Sequence, residues 1–165
     1  MHSDEYFMQE ALKEAQKAAE IDEVPVGAVI VRDNEIIARA HNMREHYQQA
    51  NAHAEMLAIE EASKVLGTWS LDDCDLYVTL EPCMMCTGVI GLSRIRNLYY
   101  GTADPKGGCT ETLVQVKQLK HIGSYPKTIW SGILQKECSD ILSTFFAERR
   151  NRPRKQKKEI EDNHQ

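Results

Sequence analysis

The chain has 165 residues, 42% of them hydrophobic and 27% charged, which suits one domain with its own apolar core and excludes a disordered chain, a collagen-like repeat and a coiled coil. No apolar run approaches the roughly 20 residues that cross a bilayer, and the opening MHSDEYFMQE carries acids where a secretory signal has Lys or Arg, so a soluble, cytoplasmic protein is expected. The net charge is −5, an acidic balance that excludes general coating of nucleic acid.

Ser3 and Asp4 are placed to cap a helix running to about residue 20, with Phe7, Ala11, Ala15, Ala18 and Ala19 on one face. Residues 24–31 are few and β-branched, the pattern of a buried strand. Asp33-Asn34 reads as a turn, and 35–40 as the returning strand of a hairpin. A polar loop is expected over 41–51. The segment 52–66 predicts a helix, apolar at Met56, Leu57, Ile59, Ala62 and Val65 and stopped by Gly67. A strand follows at 76–80. Pro82 then opens a helix to about residue 92. Next come a strand over 95–100, a loop over 101–110, a short helix over 113–119 and a last strand over 127–130. A helix over 133–150 closes the order, with Leu134, Cys138, Ile141, Leu142, Phe145 and Phe146 on one side.

Residues 149–158, RRNRPRKQKK, hold seven bases and no acid. Setting them aside, with Glu159, Glu161 and Asp162, leaves 13 bases against 22 acids in residues 1–148. The charge run alone reads as a solubilising, partly disordered tail; a local basic patch would instead hold a phosphate backbone near one site. The expected organisation is one domain over 1–150 and a basic, disordered tail over 151–165. Helical crossovers imply that the later strands pair in parallel, while the first two form an antiparallel hairpin. The expected fold is α/β, a three-layer α/β/α sandwich around a mixed five-stranded sheet.

Five cysteines stand at 74, 83, 86, 109 and 138. An odd number without a secretory signal argues against a disulfide framework. The close pair Cys83/Cys86 points to a metal or to redox chemistry, and the other three read as small buried apolar residues. Two short motifs carry chemistry. His53-Ala54-Glu55 stands at the start of a helix, and Glu81-Pro82-Cys83-Met84-Met85-Cys86 joins a strand to the next helix. Cys83 and Cys86 are three apart on a first turn, so both sulfurs can face one point. The positive helix end favours thiolates, the form that binds metal. With His53 they make three ligands of the kind zinc prefers.

No fourth ligand stands at ligand spacing, although Cys74, Cys109 or Cys138 remains available to close the site. A structural zinc is enclosed by four protein groups, whereas a catalytic one keeps a position for water and lowers that water's pKa towards roughly 7. Glu55, two residues from a ligand, is the natural proton carrier. His-x-Glu alone is common by chance, and a lone Cys-x-x-Cys divides among several meanings. Together they match the signature of zinc-dependent base deaminases.

These motifs, with EVPVGAVIV (23–31), LYVTLEPCMMC (76–86), SRI (93–95), DPKGG (104–108) and a closing helix bearing Phe145-Phe146, resemble the bacterial tRNA-specific adenosine deaminases of the cytidine-deaminase-like superfamily. The resemblance covers about residues 4–150. It implies one Zn2+ per chain held by His53, Cys83 and Cys86, with Glu55 shuttling protons as adenosine becomes inosine at the wobble position of a tRNA anticodon, expected to be an arginine tRNA. It implies that Asn42 hydrogen-bonds the flipped nucleoside and that Asp104 and Lys106 contact RNA in the anticodon stem-loop. It also implies a homodimer. Phe145 and Phe146, adjacent on a helix, point about 100° apart, so one can be core while the other meets the partner, solvent or a base.

Three positions depart from the family pattern. Ala50-Asn51 stands where Pro-Thr is usual, Thr87 where Ala is usual, and Gly123-Ser124-Tyr125-Pro126 where an Asn-His pair is common. Three rival functions remain. One is a deaminase of a free nucleobase or nucleoside; another is a non-catalytic RNA-binding module stapled by a four-ligand zinc. The third, thiol–disulfide exchange at Cys83/Cys86, leaves His53 and Glu55 without a purpose.

Overall fold

The computed structural model describes residues 1–110, 125–153 and 162. Helix α1, Asp4–Glu20, starts where Ser3 caps it, the hydroxyl accepting from Tyr6 N at 3.1 Å. Strands β1, Gly27–Arg32, and β2, Glu35–His41, form the expected hairpin. Asp33 and Asn34 both take positive φ, 50° and 64°, the backbone of a two-residue turn that matches strand twist. Between β2 and the next long helix the expected loop contains one short helix, α2, Arg44–Tyr47. Helix α3, Ala54–Leu66, ends at Gly67 in the left-handed region, as expected. Then follow β3, Asp75–Leu80, helix α4, Met84–Leu92, β4, Asn97–Thr102, β5, Thr128–Ser131, and α5, Gln135–Arg150. Pro82 precedes α4 rather than opening it, because Cys83 is the N-cap. The helix expected over 113–119 lies outside the described residues.

The sheet order is β2-β1-β3-β4-β5, with β1 antiparallel to both neighbours and β3, β4 and β5 parallel. Alternation along the strands feeds two cores. Ala28, Ile30, Leu76, Val78, Leu98 and Tyr100 face Ala58, Ile59, Ala62 and Ile90 of α3 and α4. Val29, Val31 and Tyr77 face Phe7, Met8, Ala11 and Leu12 of α1, with Cys138 of α5 beside them. Strands buried on both faces read as continuous apolar runs rather than as alternation, which is why 24–31 looks uniformly hydrophobic. Val65 does not join the apolar face of α3; it is 55% exposed. A Cβ on Gly27 would collide with Ala11 O and Ala15 N, so only glycine lets β1 start this close to α1.

Helices α3 and α4 share one face of the sheet, and their N-termini meet beyond the carboxyl end of β3. That end lies between an antiparallel neighbour and a parallel one, the kind of crevice in which α/β proteins place ligands. No described helix is long and apolar enough to cross a membrane.

Candidate metal centre and catalytic cleft

His53 is the N-cap of α3 and Cys83 the N-cap of α4, both in extended backbone, and Cys86 stands on the first turn of α4. The caps turn two side chains off their helix ends towards one point. His53 Nδ1 lies 3.6 Å from Cys83 Sγ and 3.6 Å from Cys86 Sγ. The three donor atoms all fall within 4.8 Å of one another, and no other group of three or more His, Cys, Asp or Glu side chains among the described residues meets that criterion. One nitrogen and two sulfurs converging on a common point fit zinc. Cys74, Cys109 and Cys138 do not complete a fourth corner. Cys74 is buried beside Asp73 at 3.5 Å, Cys138 packs against Gly101 beneath α5, and Cys109 lies outside the convergent group.

Electrostatics support the same arrangement. Hydrogen bonding from Cys86 and His53 draws Cys83 down to about 3. Cys86 is pushed up, first by its hydrogen bond to Cys83 and then by burial. The hydrogen bond to Cys83 likewise raises His53. A lowered Cys83 favours the thiolate, the form that binds a divalent cation. Glu55, on the first turn of α3, is 4% exposed, and burial raises its carboxyl above the ordinary range.

A cleft of about 160 Å3 opens over these groups. Val24, Val26 and Leu80 form its apolar wall, while Asn42, Arg44, Glu55 and Asp104 supply polar groups. Asn42 stands where the sequence places it, and its amide is already half engaged: Nδ2 donates to Val24 O at 3.3 Å, and Oδ1 accepts from Arg44 N at 3.1 Å. One Nδ2 hydrogen and one Oδ1 lone pair remain. Asp104 folds its own loop, Oδ1 accepting from Lys106 N and Gly107 N at 3.0 and 3.2 Å. A larger groove, about 710 Å3, runs between residues 103–107 and α5 and shares Val24, Leu80 and Asp104 with the cleft. Lys106 and Phe146 line it.

The structure divides the two phenylalanines. Phe146 is 40% exposed on the groove, whereas Phe145 is buried with the Arg149 guanidinium 5.6 Å from its ring centroid. The Phe145 side chain is buried and lines neither the cleft nor the groove. Thr87 does not line the cleft either. Its hydroxyl is buried 3.0 Å from Thr110 Oγ1, and both reach Pro82 O, at 3.5 and 3.4 Å. The departure from Ala is thus accompanied by a hydroxyl pair that ties α4 to the chain after the 104–108 loop. Residues 123 and 124 lie outside the described residues.

Sequence reasoning placed Glu81 and Glu23 within motifs but gave them no role of their own, and it passed over Arg44. Glu81 Oε1 accepts from Asp104 N at 3.1 Å and lies against Gly108, so it fixes the 104–108 loop to the end of β3. Glu23 is fully buried. An acid inside an otherwise apolar stretch, EVPVGAV, was the available signal for it.

Residues 1–102 match the family described as the cytidine and deoxycytidylate deaminase zinc-binding region. The chain is 50% identical to the tRNA-specific adenosine deaminase of Bacillus subtilis (strain 168), over 98% of this chain and all of that one. It is 47% identical to the tRNA-specific adenosine deaminase of Streptococcus pyogenes serotype M18, covering 89% of this chain and 92% of that one. A solved structure from work on A-to-I editing by tRNA:A34 deaminases at the wobble position superposes with a TM-score of 0.78 at 45% identity, covering 83% of this chain and 99% of that one. With its zinc-type donor set at the carboxyl end of β3 and relatives matched over nearly their whole length, the chain belongs to the tRNA-specific adenosine deaminases.

Proposed function

We propose that this protein hydrolytically deaminates adenosine to inosine at the wobble position of a tRNA anticodon, with His53, Cys83 and Cys86 holding one zinc and Glu55 moving the protons. The observation that carries the proposal is the convergence of three donor atoms beside a buried carboxylate at a cleft, with no fourth donor joining the group among the described residues. When bound, the ion supplies the Lewis acidity that makes water a nucleophile near neutral pH. Glu55, with its proton affinity raised by burial, would take one proton from water and deliver it to the purine ring nitrogen, then carry the remaining hydroxyl proton to the departing amine. The oxygen of water ends on C6, and ammonia leaves.

Asn42 offers its free amide hydrogen and lone pair to the nucleoside, while Val24, Val26 and Leu80 hold the ring against the cleft wall. An unpaired loop base can be splayed into such a cleft at low cost. Phe146 gives a flanking base a stacking surface, and Lys106 offers a phosphate its charge. Asp104 shapes the loop between cleft and groove.

The arginine tRNA and a cytoplasmic setting belong to the same proposal on the strength of the family resemblance. So does a deaminase domain over 1–150 followed by a basic tail over 151–165. A homodimer does too, and α4 turns Met84, Gly88 and Leu92, spaced by four, towards solvent. The test is inosine formation from an anticodon stem-loop with a wobble adenosine, run beside free adenosine, cytidine and guanine. Inosine in the RNA and none from the free compounds is expected; conversion of a free compound with the RNA untouched overturns the proposal.

A further inference from the structure

Glu23 is the least exposed carboxylate of the described residues, at 0%, yet it lies outside the chemistry described above. It sits just past the last turn of α1, where its own N–H donates to Ala18 O at 2.9 Å. From there the carboxylate reaches the start of α2. Oε1 accepts from Glu45 N at 3.0 Å, and Oε2 accepts from His46 N at 3.1 Å and faces His46 Nδ1 at 3.1 Å. The preceding N–H, that of Arg44, is taken by Asn42 Oδ1. A four-residue helix is far below the length that holds itself together in water. What holds α2 is therefore a carboxylate 22 residues upstream, filling the orphan donors of its first turn.

The side chain that α2 carries to the catalytic cleft is Arg44. Its guanidinium is half exposed, and its ion pair with neighbouring Glu45 at 3.3 Å is a solvent-facing contact. Surface pairs of that kind contribute little, so the guanidinium is free to exchange that contact for an anion. A nucleotide in the cleft brings a phosphate on each side of its base.

We propose that Glu23 is a positioning residue for RNA binding: by building α2 it holds the Arg44 guanidinium at the cleft mouth, where it takes a phosphate flanking the target nucleoside. The proposal rests on the RNA-editing reading above. Asn42 is tied separately to Val24 O, and its own N–H to Val26 O, so loss of Glu23 acts on Arg44 more than on the group beside the base.

The test compares Glu23→Gln, Arg44→Gln and the double variant in zinc-loaded protein on the wobble-adenosine stem-loop, following KM, kcat, zinc content and the salt dependence of KM. An amide in place of the carboxylate turns an N–H towards the α2 donors. The expected result is that each single variant raises KM about tenfold, the effect of one charge-assisted contact. The value of kcat stays within about twofold, as when binding common to ground and transition states is lost. The slope of log KM against log salt becomes shallower by about 0.7, one phosphate contact on a single strand. The double variant is no worse than Arg44→Gln alone.

The Glu23 result discriminates because removing a negative charge would by simple attraction tighten RNA binding, and a merely structural role would lower the melting temperature while leaving the salt slope unchanged. A wild-type slope and KM in Glu23→Gln overturns the proposal. Should Glu23→Gln fail to fold, Arg44→Gln decides by itself, since an unchanged KM there leaves no cation to be positioned. A wild type that forms no inosine overturns the editing reading, a failure distinct from either of these.

Discussion

Glu55 differs from the other acids of the cleft by its burial and by its place two residues beyond His53. A carboxylate that moves protons without binding the ion has a specific signature on removal. Glu55→Ala is expected to keep the fold and one zinc per chain while turnover falls by 10²-fold or more, about the contribution of a positioned acid–base group. Zinc lost from the variant, measured on the same sample as turnover, would make Glu55 a ligand instead. Thr87 shows a second kind of residue effect, in which a local departure acts through a distant partner. Thr110→Val leaves the Thr87 hydroxyl without its nearest hydroxyl partner, and urea unfolding is expected to register a loss of about 1 kcal/mol with zinc content unchanged. The convergence of His53, Cys83 and Cys86, with Glu55 beside them, was legible in the sequence because the two motifs together fix residue type and spacing at two helix starts. The roles of Glu23 and Glu81, and which of Phe145 and Phe146 is the buried one, were not. Each is decided by what the fold brings to it, such as His46 against Glu23 or Arg149 over Phe145.

Elements follow the same division. The ends of α1 and α3 were readable because Ser3 and Gly67 act within a few residues of themselves. The short helix α2 was not, since Glu23 and Asn42 hold its first turn and no pattern of its own declares it. Strand β4 begins two residues later than its apolar run. Ile95 is buried in the turn before the strand rather than in the ladder, and hydrophobicity alone does not separate those two placements. The contact between α1 and β1 gives the sharpest test at this scale. Gly27→Ala forces a Cβ into the backbone of α1, and a loss of roughly 3 kcal/mol or more in urea unfolding is expected, at the upper end for overpacking. A change below about 0.5 kcal/mol, the range of ordinary surface substitutions, would mean that α1 does not bear on that strand.

For the whole molecule, the three-layer plan was legible from the order of helices and strands, whereas the two-sided burial of β1 needed the sheet itself. The acidic body also holds charge inside its layers. Burial alone would raise the Glu14 carboxyl, but hydrogen bonds from Lys17 and His41 outweigh it and hold it below its ordinary value of 4.5. A carboxyl lowered in the folded state contributes stability that is complete above its unfolded value and is lost as pH falls through the folded one. Stability is therefore expected to decline below about pH 4.5, with a shallower acid limb in Glu14→Gln; an identical limb in that variant would contradict the assignment. The proposed function depends on an ion gripped by one nitrogen and two sulfurs of this chain. Zinc-edge X-ray absorption on the purified holoprotein measures that directly. Two sulfur neighbours per zinc, falling to one in Cys83→Ser, are the expected result; a third sulfur in the wild type, or two persisting in Cys83→Ser, would contradict it.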